Sequence, residues 1–377
     1  MDWNYEQPVK IRFGQGKRKE VAAIAEELQV QRGILIAGPH LVKSGLAKEL
    51  VEESNGRLVT VFSDVSPNPD VTEVDACAQI IREQKIDYIV AFGGGSTIDC
   101  AKAASVVALT DGSVRKYHGT NVSLPKEHLP LIAIPTTAGT GTEVTAVSVL
   151  TDRENGRKAP MASPGFYPVC ALIDPELTVT MPKKVTAETG LDALSHAVEA
   201  YWSVGHQPIT DILAIHAAKL VFDYLPQAYE NPEDILAREK MCEASLIAGL
   251  AFNLPKTTGS HACSFPLTNI YQIPHGEACA LTLDSFLRIN AKEDEDKRLK
   301  TLAEALGFSD AEELADGIFA LKKQLKLRTN LYDFDLKEEQ IEELVQLSQH
   351  PNLRNNPVEI TEEILRELYE KLAWIKS

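Results

Sequence analysis

The sequence lacks the features that mark secreted, membrane-spanning and nucleic-acid-binding proteins. Its N-terminus has no basic start followed by an apolar run, so no signal peptide is predicted. No apolar run reaches ~18 residues, the length that a membrane-spanning helix needs. The six cysteines are scattered without a Cys-x-x-Cys pair, which favours reduced thiols over disulfides or a zinc ribbon. The net charge of −16 disfavours nucleic acid and anionic membranes as partners. These absences predict a cytoplasmic protein.

The length of 377 residues suggests about two or three domains. Up to residue 182, short apolar runs alternate with amphipathic segments. Strands that alternate with helices imply a parallel sheet covered on both faces. The predicted strands are Gly33–Ala37, Arg57–Phe62, Ile86–Phe92 and Leu131–Pro135, and the predicted helices are Arg18–Leu28, Leu41–Ser54, Val71–Gln84 and Thr97–Leu109. We therefore predict an α/β domain over residues 1–182.

Three glycines and a serine, Gly93 to Ser96, stand between a predicted strand and a predicted helix. Glycines let the backbone approach a ligand closely, and the free N–H groups of a helix start attract negative charge. This context favours a phosphate site, although a tight turn capped by Ser96 would give the same pattern. The run is not Gly-x-Gly-x-x-Gly, so the common dinucleotide fingerprint is not assigned.

A second polar loop, Thr136 to Glu143, follows the predicted strand Leu131–Pro135. Its hydroxyls and glycines suit contacts to a phosphate or a ribose, and alone it could equally be a solvated loop. Both loops follow apolar strands, and open α/β sheets bind ligands outside the carboxyl ends of their strands. The pattern therefore predicts a ligand crevice at this edge of the sheet.

After residue 182 the strand patterns fade and helical patterns dominate. This change predicts an all-helical domain over residues 183–377. The predicted helices are Glu188–Tyr201, Ile209–Tyr224, Ile235–Phe252, Glu277–Asn290, Lys297–Ala305, Asp310–Leu325, Glu338–Leu347 and Thr361–Ile375.

The predicted helix Glu188–Tyr201 is apolar nearly all round, which is typical of a buried helix. It nevertheless carries Asp192 and His196, which lie four residues apart and therefore on one face. A buried carboxylate is costly unless it is paired or bound to a metal. The alternative interpretation is that Asp192 caps the start of the helix together with Thr189.

Two histidines, His261 and His275, lie beside residues that fix or free the backbone. His261 follows a Thr-Gly-Ser run and His275 follows a proline, and neither segment has the pattern of a surface helix. Together with Asp192 and His196 they would suit a metal site, but spacing alone leaves ordinary buried histidines equally open. The other histidines, His40, His118, His128, His206, His216 and His350, are predicted to be structural or solvated.

Taken together, these segments resemble the iron-containing (group III) alcohol dehydrogenases. The similar segments are GGGSTIDCAK (93–102), TTAGTGTEVT (136–145), DPELTVTMP (174–182), GLDALSHAVEAY (190–201), GSHA (259–262) and IPHGEAC (273–279). The resemblance implies a dehydroquinate-synthase-like fold, α/β plus all-α, with an N-terminal Rossmann-like dinucleotide-binding domain and a C-terminal helical metal and substrate domain. It implies NAD(P)-dependent oxidation of a small alcohol or reduction of a small aldehyde, in a homodimer or larger homo-oligomer.

The resemblance also implies roles for individual residues. The ligands of Fe²⁺, with Zn²⁺ as the other candidate, would be Asp192, His196, His261 and His275, and catalysis would act through the metal. The cofactor, NADP or NAD, would contact Gly38, Asn68, Gly94, Gly95, Ser96, Thr136, Thr137, Thr140, Thr145 and Lys158. The metal would polarise the substrate carbonyl while hydride passes to or from the nicotinamide.

Two positions depart from the family pattern. Many members carry a histidine four residues after the third ligand, where this chain has Phe265, so the group that transfers the proton is not identified. NAD-preferring members often carry an aspartate after the first predicted strand, where this chain has Gly38 and, close by, His40. Without that carboxylate a ribose 2′-phosphate is not repelled, and His40 or Lys43 could favour it. We therefore predict a preference for NADP(H).

The substrate prediction depends on Arg354, which lies in a segment that corresponds to one near the substrate pocket of related enzymes. Its forked donors could pair with an anionic group, although a solvated arginine would have the same sequence pattern. Members that resemble this chain include reductases of phosphono- or sulfoacetaldehyde, so a small anionic aldehyde is a candidate alongside simple aldehydes. The alternatives are a ketone phosphate reductase like glycerol-1-phosphate dehydrogenase, a lyase like dehydroquinate synthase, and a non-catalytic dinucleotide-binding sensor.

Overall fold

The computed structural model describes residues 3–374, which fold into two compact units. One unit consists of Glu6–Thr137 and Gly141–Val179, and the other of residues 3–5, 138–140 and 180–374. The first is α/β and the second is helical, so the predicted fold class is confirmed. The predicted boundary after residue 182 stays a prediction. Within residues 3–374 no helix combines the length and the apolar character needed to cross a membrane.

The α/β unit is built on a six-stranded parallel sheet with the strand order β1-β8-β5-β4-β2-β3. A separate antiparallel pair, β6 with β7, belongs to the same unit. The strands are β1 (Lys10–Phe13), β2 (Gly33–Ala37), β3 (Leu58–Phe62), β4 (Tyr88–Gly93), β5 (Leu131–Pro135), β6 (Val147–Asp152), β7 (Arg157–Ala162) and β8 (Cys170–Ile173). The helices are α1 (Val21–Glu27), α2 (Pro39–Ser44), α3 (Leu46–Glu53), α4 (Val71–Glu83) and α5 (Gly95–Val107).

Successive residues of the central strands pack on opposite faces of the sheet. Ile34 and Ile36 of β2 join a core cluster that includes residues of α4 and α5. Leu35 and Ala37 join a second cluster that includes residues of α1 and α3. Because side chains alternate along a strand, this division shows that helices cover both faces, as the unbroken apolar runs of the sequence predict.

The direction of winding reverses between β2 and β4. From β2 the chain passes to β3 on one side, then to β4 on the other side, and next to β5. Doubly wound sheets bind ligands at such a switch point, outside the carboxyl ends of the strands. Gly38 follows β2 and Gly94 follows β4, and the backbone N–H of Gly38 donates to the carbonyl of Phe92 at 3.0 Å. The glycine run therefore lies at the switch point of the sheet.

The helical unit contains the segments that carry the predicted metal ligands. Its helices are α6 (Lys183–Trp202), α7 (Pro208–Glu230), α8 (Ile235–Phe252), α9 (Gly259–Tyr271), α10 (His275–Ala291), α11 (Arg298–Leu306), α12 (Ala311–Gln324), α13 (Glu338–Leu347) and α14 (Glu362–Ala373). The predicted helix Thr361–Ile375 corresponds to α14, and its last predicted residue lies outside the described residues.

Several elements differ from their predictions for identifiable reasons. The segment predicted as one helix, Leu41–Ser54, is two helices, because Gly45 adopts a left-handed backbone (φ 90°) that ends the first one. Helix α9 was missed because Pro266 lies inside it, and proline is unfavourable in a helix interior. The capping role considered for Asp192 is wrong, because α6 begins at Lys183 and Asp192 lies in its interior.

Candidate active site

Three imidazoles of the helical unit converge on one carboxylate oxygen. The Nε2 atoms of His196, His261 and His275 lie 4.0, 3.7 and 4.0 Å from Oδ1 of Asp192. The rings of His196 and His261 are stacked, with their centroids 4.6 Å apart. The structure therefore brings together all four residues predicted as metal ligands.

These four residues are positioned by three helices. Asp192 and His196 lie one turn apart on α6, His261 lies near the start of α9, and His275 is the first residue of α10. Gly276 allows α10 to approach α6 closely, because a Cβ atom there would lie 2.1 Å from the backbone oxygen of Glu188. The ligand positions therefore depend on helix packing and not on loop conformation.

The Nδ1 atom of each imidazole has a hydrogen-bond partner in the same unit. Nδ1 of His196 lies 3.3 Å from the carbonyl oxygen of Gly139, which can only accept, so Nδ1 carries the proton. Ser264 donates its hydroxyl to the carbonyl of His261 at 2.7 Å and therefore accepts from Nδ1 of His275 at 3.3 Å. The carboxylate of Glu199 accepts from Nδ1 of His261. With a proton held at each Nδ1, the Nε2 atoms are the ring nitrogens directed at the shared centre.

Glu199 is a site residue that the sequence reasoning missed. It is fully buried on α6, and its Oε1 accepts from the backbone N–H of Thr258 (3.1 Å), from the hydroxyl of Thr258 (2.8 Å) and from the backbone N–H of Ser260 (2.9 Å). A metal-binding histidine usually donates its other N–H to such a carboxylate. The available signal was its spacing, because Glu199 lies seven residues after Asp192 on the same apolar helix.

Burial favours the neutral form of one predicted ligand. The pKa of His196 lies well below its usual value, because of burial and the neighbouring His261. This ring is therefore uncharged, and its Nε2 atom has a lone pair that can bind an ion. Burial acts in the same direction on His261, but Cys279 and the Glu199 carboxylate raise the pKa of His261 well above its usual value. In the metal-free protein His261 therefore favours its protonated form, and an ion bound at Nε2 would take the place of the second ring proton.

The cluster fits a divalent transition metal by its donors and by its burial. Nε2 of His261 is buried and makes no hydrogen bond to a nitrogen or oxygen atom within residues 3–374. Buried polar atoms normally have a partner, and an ion is one explanation when they have none. Imidazole and carboxylate donors suit Fe²⁺ and Zn²⁺. The assignment of the four residues as ligands stays a prediction.

Cys279, for which no role was predicted, forms a compact group with three of these four residues, a group to which His196 does not belong. The donor atoms of Asp192, His261, His275 and Cys279 all lie within 4.8 Å of one another. All six thiols of the chain are free and buried, and only this one belongs to a group of metal-ligand type within residues 3–374.

One side of the cluster is partly open and is bordered by aromatic rings. The side chain of His275 is 35% exposed, whereas those of Asp192 and His261 are buried. Phe265 packs against His350, with the ring centroids 4.5 Å apart. His350 precedes the turn Pro351–Asn355, which contains the exposed Arg354. His350, which was predicted to be structural or solvated, therefore lies against Phe265, although the two residues are far apart in the sequence.

In the α/β unit, the predicted cofactor residues gather at the carboxyl ends of the central strands. Gly94 precedes α5, and Gly95 and Ser96 form its first turn. A Cβ atom at Gly93 would lie 2.4 Å from Oγ1 of Thr97, so a side chain at this position would collide with the first turn of α5. Thr136 and Thr137 follow β5, and the backbone N–H of Thr136 donates to the carbonyl of Gly93 at 3.0 Å.

Two further predicted residues are linked to the same loop. The backbone N–H of Asn68 donates to Oγ of Ser96 at 3.2 Å, and its side-chain oxygen accepts from Nζ of Lys158 at 2.9 Å. Asn68 has a left-handed backbone (φ 54°), which asparagine tolerates better than most residues. Lys158 lies on β7, in a hairpin that the sequence reasoning did not predict.

The remaining predicted cofactor residues have different surroundings. Thr145 is buried, and its hydroxyl accepts from Nζ of Lys102 at 3.0 Å. The same ammonium donates to Thr142 (2.9 Å) and to the carbonyl of Val147 (2.8 Å). Thr145 is therefore engaged in a buried network beneath the loop. Thr140 belongs to the helical unit and is partly buried.

Two family models match nearly the whole chain. A model described as iron-containing alcohol dehydrogenase matches residues 8–175, and one described as Fe-containing alcohol dehydrogenase family, C-terminal, matches residues 186–373. The NAD-dependent methanol dehydrogenase of Bacillus methanolicus is 35% identical over 351 residues, which are 90% of this chain and 91% of that protein. The sulfoacetaldehyde reductase of Bilophila wadsworthia (strain 3_1_6) is 33% identical over 344 residues, 88% of each chain.

The solved structures lead to the same family. The sulfoacetaldehyde reductase from Bifidobacterium kashiwanohense, solved in complex with NAD⁺, is 57% identical and superposes with a TM-score of 0.97 over 100% of both chains. A 1,3-propanediol oxidoreductase is 30% identical with a TM-score of 0.92, over 99% of this chain and 100% of that one. With its fold, its cluster of histidines and carboxylate, and these matches over both units, the chain belongs to the iron-containing alcohol dehydrogenase family.

Proposed function

We propose that the protein is a metal-dependent, NAD(P)(H)-linked reductase of a small anionic aldehyde, which also oxidises the corresponding alcohol. The observation that carries the proposal is the convergence of three imidazole Nε2 atoms on Oδ1 of Asp192, in a chain of this family. Burial of four polar groups together costs their hydration, and a bound ion would offset that cost.

In this proposal Asp192, His196, His261 and His275 hold Fe²⁺ or Zn²⁺. When bound, the ion supplies Lewis-acid polarisation of the substrate carbonyl. The chain itself contributes one negative charge from Asp192 and orients the imidazoles through their Nδ1 partners. The partly exposed His275 marks the side from which a substrate would enter.

The cofactor is proposed to bind at the switch point of the parallel sheet. The start of α5 offers the backbone N–H groups of Gly95 and Ser96 to a pyrophosphate. The buried hydroxyl of Thr136 makes no hydrogen bond within residues 3–374, which supports a contact to a ligand. Lys158, held by Asn68, adds a positive charge beside the same loop. The other proposed contacts are Gly38, Gly94, Thr137, Thr140 and Thr145.

Two observations bear on the choice of dinucleotide in opposite directions. No carboxylate follows β2, where Gly38 leads directly into α2, and this absence supports the predicted preference for NADP(H). The sulfoacetaldehyde reductase at 57% identity was solved with NAD⁺, which supports NAD(H). The preference for NADP(H) stays a prediction, and a higher kcat/KM with NADPH than with NADH would confirm it.

The proposed substrate class is a two-carbon aldehyde with a sulfonate or phosphonate group, and sulfoacetaldehyde is the first candidate. Two relatives that carry the name sulfoacetaldehyde reductase, at 57% and 33% identity, support this choice. Because the protein has a net charge of −16, an anionic substrate needs a local cation. Arg354 is proposed to supply it, from a turn that is fixed by the bond of Asn352 to Thr257 at 2.8 Å.

The test is a panel of aldehydes, assayed with NADH and NADPH before and after removal of the metal with a chelator. We expect sulfoacetaldehyde to give the highest kcat/KM, and we expect turnover to disappear after chelation and to return with Fe²⁺ or Zn²⁺. Turnover of a ketone phosphate in preference to the aldehydes would favour the glycerol-1-phosphate dehydrogenase alternative. Dinucleotide binding without any turnover would favour the sensor.

The role of Arg354 has its own test. In Arg354→Ala we expect the KM for sulfoacetaldehyde to rise about 10- to 100-fold, which corresponds to the loss of a hydrogen bond between charged groups. The KM for a neutral aldehyde of similar size serves as the control and should not change. If both KM values stay at those of the wild type, Arg354 does not bind the anionic group.

Three predictions from the sequence complete the proposal. They are the division into domains at 1–182 and 183–377, the assembly into a homodimer or larger homo-oligomer, and the cytoplasmic location. Size-exclusion chromatography with light scattering measures the second of these directly.

A further inference from the structure

The turn Pro351–Asn355, which carries Arg354, is preceded by a histidine that packs against α9. The ring of His350 lies on that of Phe265, with the centroids 4.5 Å apart and the planes inclined by 30°. Phe265 follows the proposed ligand His261 by four residues on α9, so the two side chains lie on the same face of the helix, one turn apart. His350 is therefore held beside the face of α9 that carries a proposed metal ligand.

The hydrogen bond at Nδ1 decides which nitrogen of His350 carries the proton. Nδ1 lies 3.2 Å from the backbone nitrogen of Asn352, whose N–H can only donate, so Nδ1 accepts and carries no proton. A neutral ring then carries its proton at Nε2. Burial lowers the pKa of His350, and the neighbouring His261 acts in the same direction, which favours the neutral ring. Nε2 makes no hydrogen bond within residues 3–374, so its N–H is available to a ligand.

The same turn presents an exposed arginine that has no acidic partner. Arg354 makes no ion pair in the described part of the chain, although the protein has 54 acidic residues and only 38 basic ones. The turn itself is fixed, because the side chains of Asn352 and Asn355 donate to Oγ1 (2.8 Å) and to the carbonyl oxygen (2.9 Å) of Thr257. A fixed backbone therefore holds one cation and, at His350, one neutral donor.

We propose that His350 is a specificity-determining residue that donates the N–H of Nε2 to the anionic group of the substrate, beside the guanidinium of Arg354, an inference that rests on the proposed function. The contribution of His350 is a hydrogen bond, so no bond of the substrate forms or breaks through it. The imidazole stays uncharged, and the positive charge of this pair belongs to Arg354 alone. The pair therefore matches an anion with one negative charge.

This match of charges favours a sulfonate over a phosphonate. A sulfonate carries one negative charge at neutral pH, whereas a phosphonate, like a phosphate ester, carries up to about two. The second charge would find no cation in this pair, and an unpaired charge disfavours the ligand that carries it. We therefore expect a higher kcat/KM for sulfoacetaldehyde than for phosphonoacetaldehyde, which differs from it only in the acid group.

The alternative is that His350 only caps the turn. Its Nδ1 accepts from the backbone N–H two residues later, as the side-chain oxygens of asparagine and aspartate do at the start of helices. Both of these residues can make the same cap, but neither places an N–H where Nε2 lies. His350→Asn therefore keeps the cap and removes the donor, and His350→Asp adds a negative charge in a side chain of the same shape.

The test is the steady-state kinetics of the holoenzyme with sulfoacetaldehyde and with propanal, which has no anionic group. In His350→Asn we expect the KM for sulfoacetaldehyde to rise about 10- to 100-fold, the effect of a lost hydrogen bond to a charged group. In His350→Asp we expect a further rise of about tenfold, because like charges repel. The KM for propanal should not rise in either variant. His216→Asn is the matched control, because His216 is exposed on α7 of the same unit and pairs with Glu243.

The outcomes separate this inference from the proposed function. A wild-type KM for sulfoacetaldehyde in folded His350→Asn, or equal KM values in His350→Asn and His350→Asp, would overturn the role of His350 and leave the proposed function intact. Turnover of propanal but of no anionic aldehyde by the wild type would overturn the proposed substrate class. A preference for phosphonoacetaldehyde would overturn the match of charges.

A second measurement decides if His350→Asn does not fold. The histidine side chains of the wild-type holoenzyme are observed by heteronuclear NMR while 2-hydroxyethanesulfonate, the alcohol that corresponds to sulfoacetaldehyde, is added. We expect the Nε2–H signal of His350 to shift as this alcohol binds, because a new acceptor meets the N–H. Binding of the alcohol without a shift of that signal would refute the proposal.

Discussion

Substitution of Glu199 by glutamine tests whether the Nδ1 partners of the histidines position the metal ligands. The side chain has the same shape, but one of its two oxygens becomes an NH₂ group. On one side of the wild-type carboxylate, Oε1 accepts three bonds of 3.1 Å or shorter from Thr258 and Ser260. On the other side, Oε2 accepts one bond, from His261. The amide oxygen is therefore expected to remain with the three donors, which turns the NH₂ group toward Nδ1 of His261.

This orientation changes the tautomer of the histidine. An NH₂ group can only donate, so Nδ1 of His261 must accept and the ring proton moves to Nε2, the atom proposed to bind the metal. Loss of such a partner typically lowers metal affinity about 10- to 100-fold, which is about 1.4 to 2.8 kcal/mol. We expect the Zn²⁺ affinity of Glu199→Gln to fall by this amount.

The assay is a competition titration of metal-free protein with a chromophoric chelator at one pH. Glu243→Gln is the matched control, because Glu243 also pairs with a histidine, His216 at 3.2 Å, on a different part of the helical unit. Thermal unfolding of both metal-free variants checks that they fold. Wild-type zinc affinity in a folded Glu199→Gln protein would refute the reasoning about the tautomer.

The remaining predictions concern helix packing and the buried network of the α/β unit. In Gly276→Ala the new Cβ would lie 2.1 Å from the backbone oxygen of Glu188, so we expect a loss of about 1–3 kcal/mol in urea denaturation and weaker zinc binding. Gly112→Ala, with no atom within 4 Å of the new Cβ, is the control. Lys102→Met removes the common donor of three buried acceptors, so we expect a loss of about 3 kcal/mol and a higher KM for the dinucleotide, and an unchanged KM would contradict a role in shaping the loop. Burial raises the pKa of Glu143 from 4.5 to about 7. Folded protein therefore keeps a proton that the unfolded chain releases, so the free energy of unfolding falls as pH rises from 4.5 to 7, and Glu143→Gln should flatten this fall in urea titrations at several pH values.

The parts of the fold that could be predicted are those with a short-range pattern. The strands β2, β4 and β5 are unbroken apolar runs followed by glycine or threonine loops. Their positions in the chain and their burial could therefore be predicted from the sequence. The hairpin of β6 and β7 was missed, because its strand Arg157–Ala162 contains a proline and few apolar residues. Its position, which brings Lys158 to Asn68, depends on a contact across 90 residues of sequence that no local pattern encodes.

The candidate site divides in the same way. Asp192 and His196 could be paired from their four-residue spacing, because both are on one helix. His261 and His275 could be recognised only as unusual histidines, since their approach to α6 depends on the packing of α9 and α10. Cys279 was overlooked although its four-residue spacing from His275 is the same as that of the pair on α6, because a buried cysteine is ordinary in a protein core.

Helix α6 explains why the arrangement should persist without the metal. Asp192, His196 and Glu199 are spaced by four and three residues, so they form one polar stripe on the buried C-terminal part of the helix. Two of them are proposed ligands, and the third orients His261 from α9. Because rigid helices hold these groups, and their partners include backbone atoms of Gly139, Thr258 and Ser260, removal of the metal is expected to change helix content little. Far-ultraviolet circular dichroism that is nearly identical with and without metal would support this, whereas a loss of helix on chelation would mean that the metal organises the site.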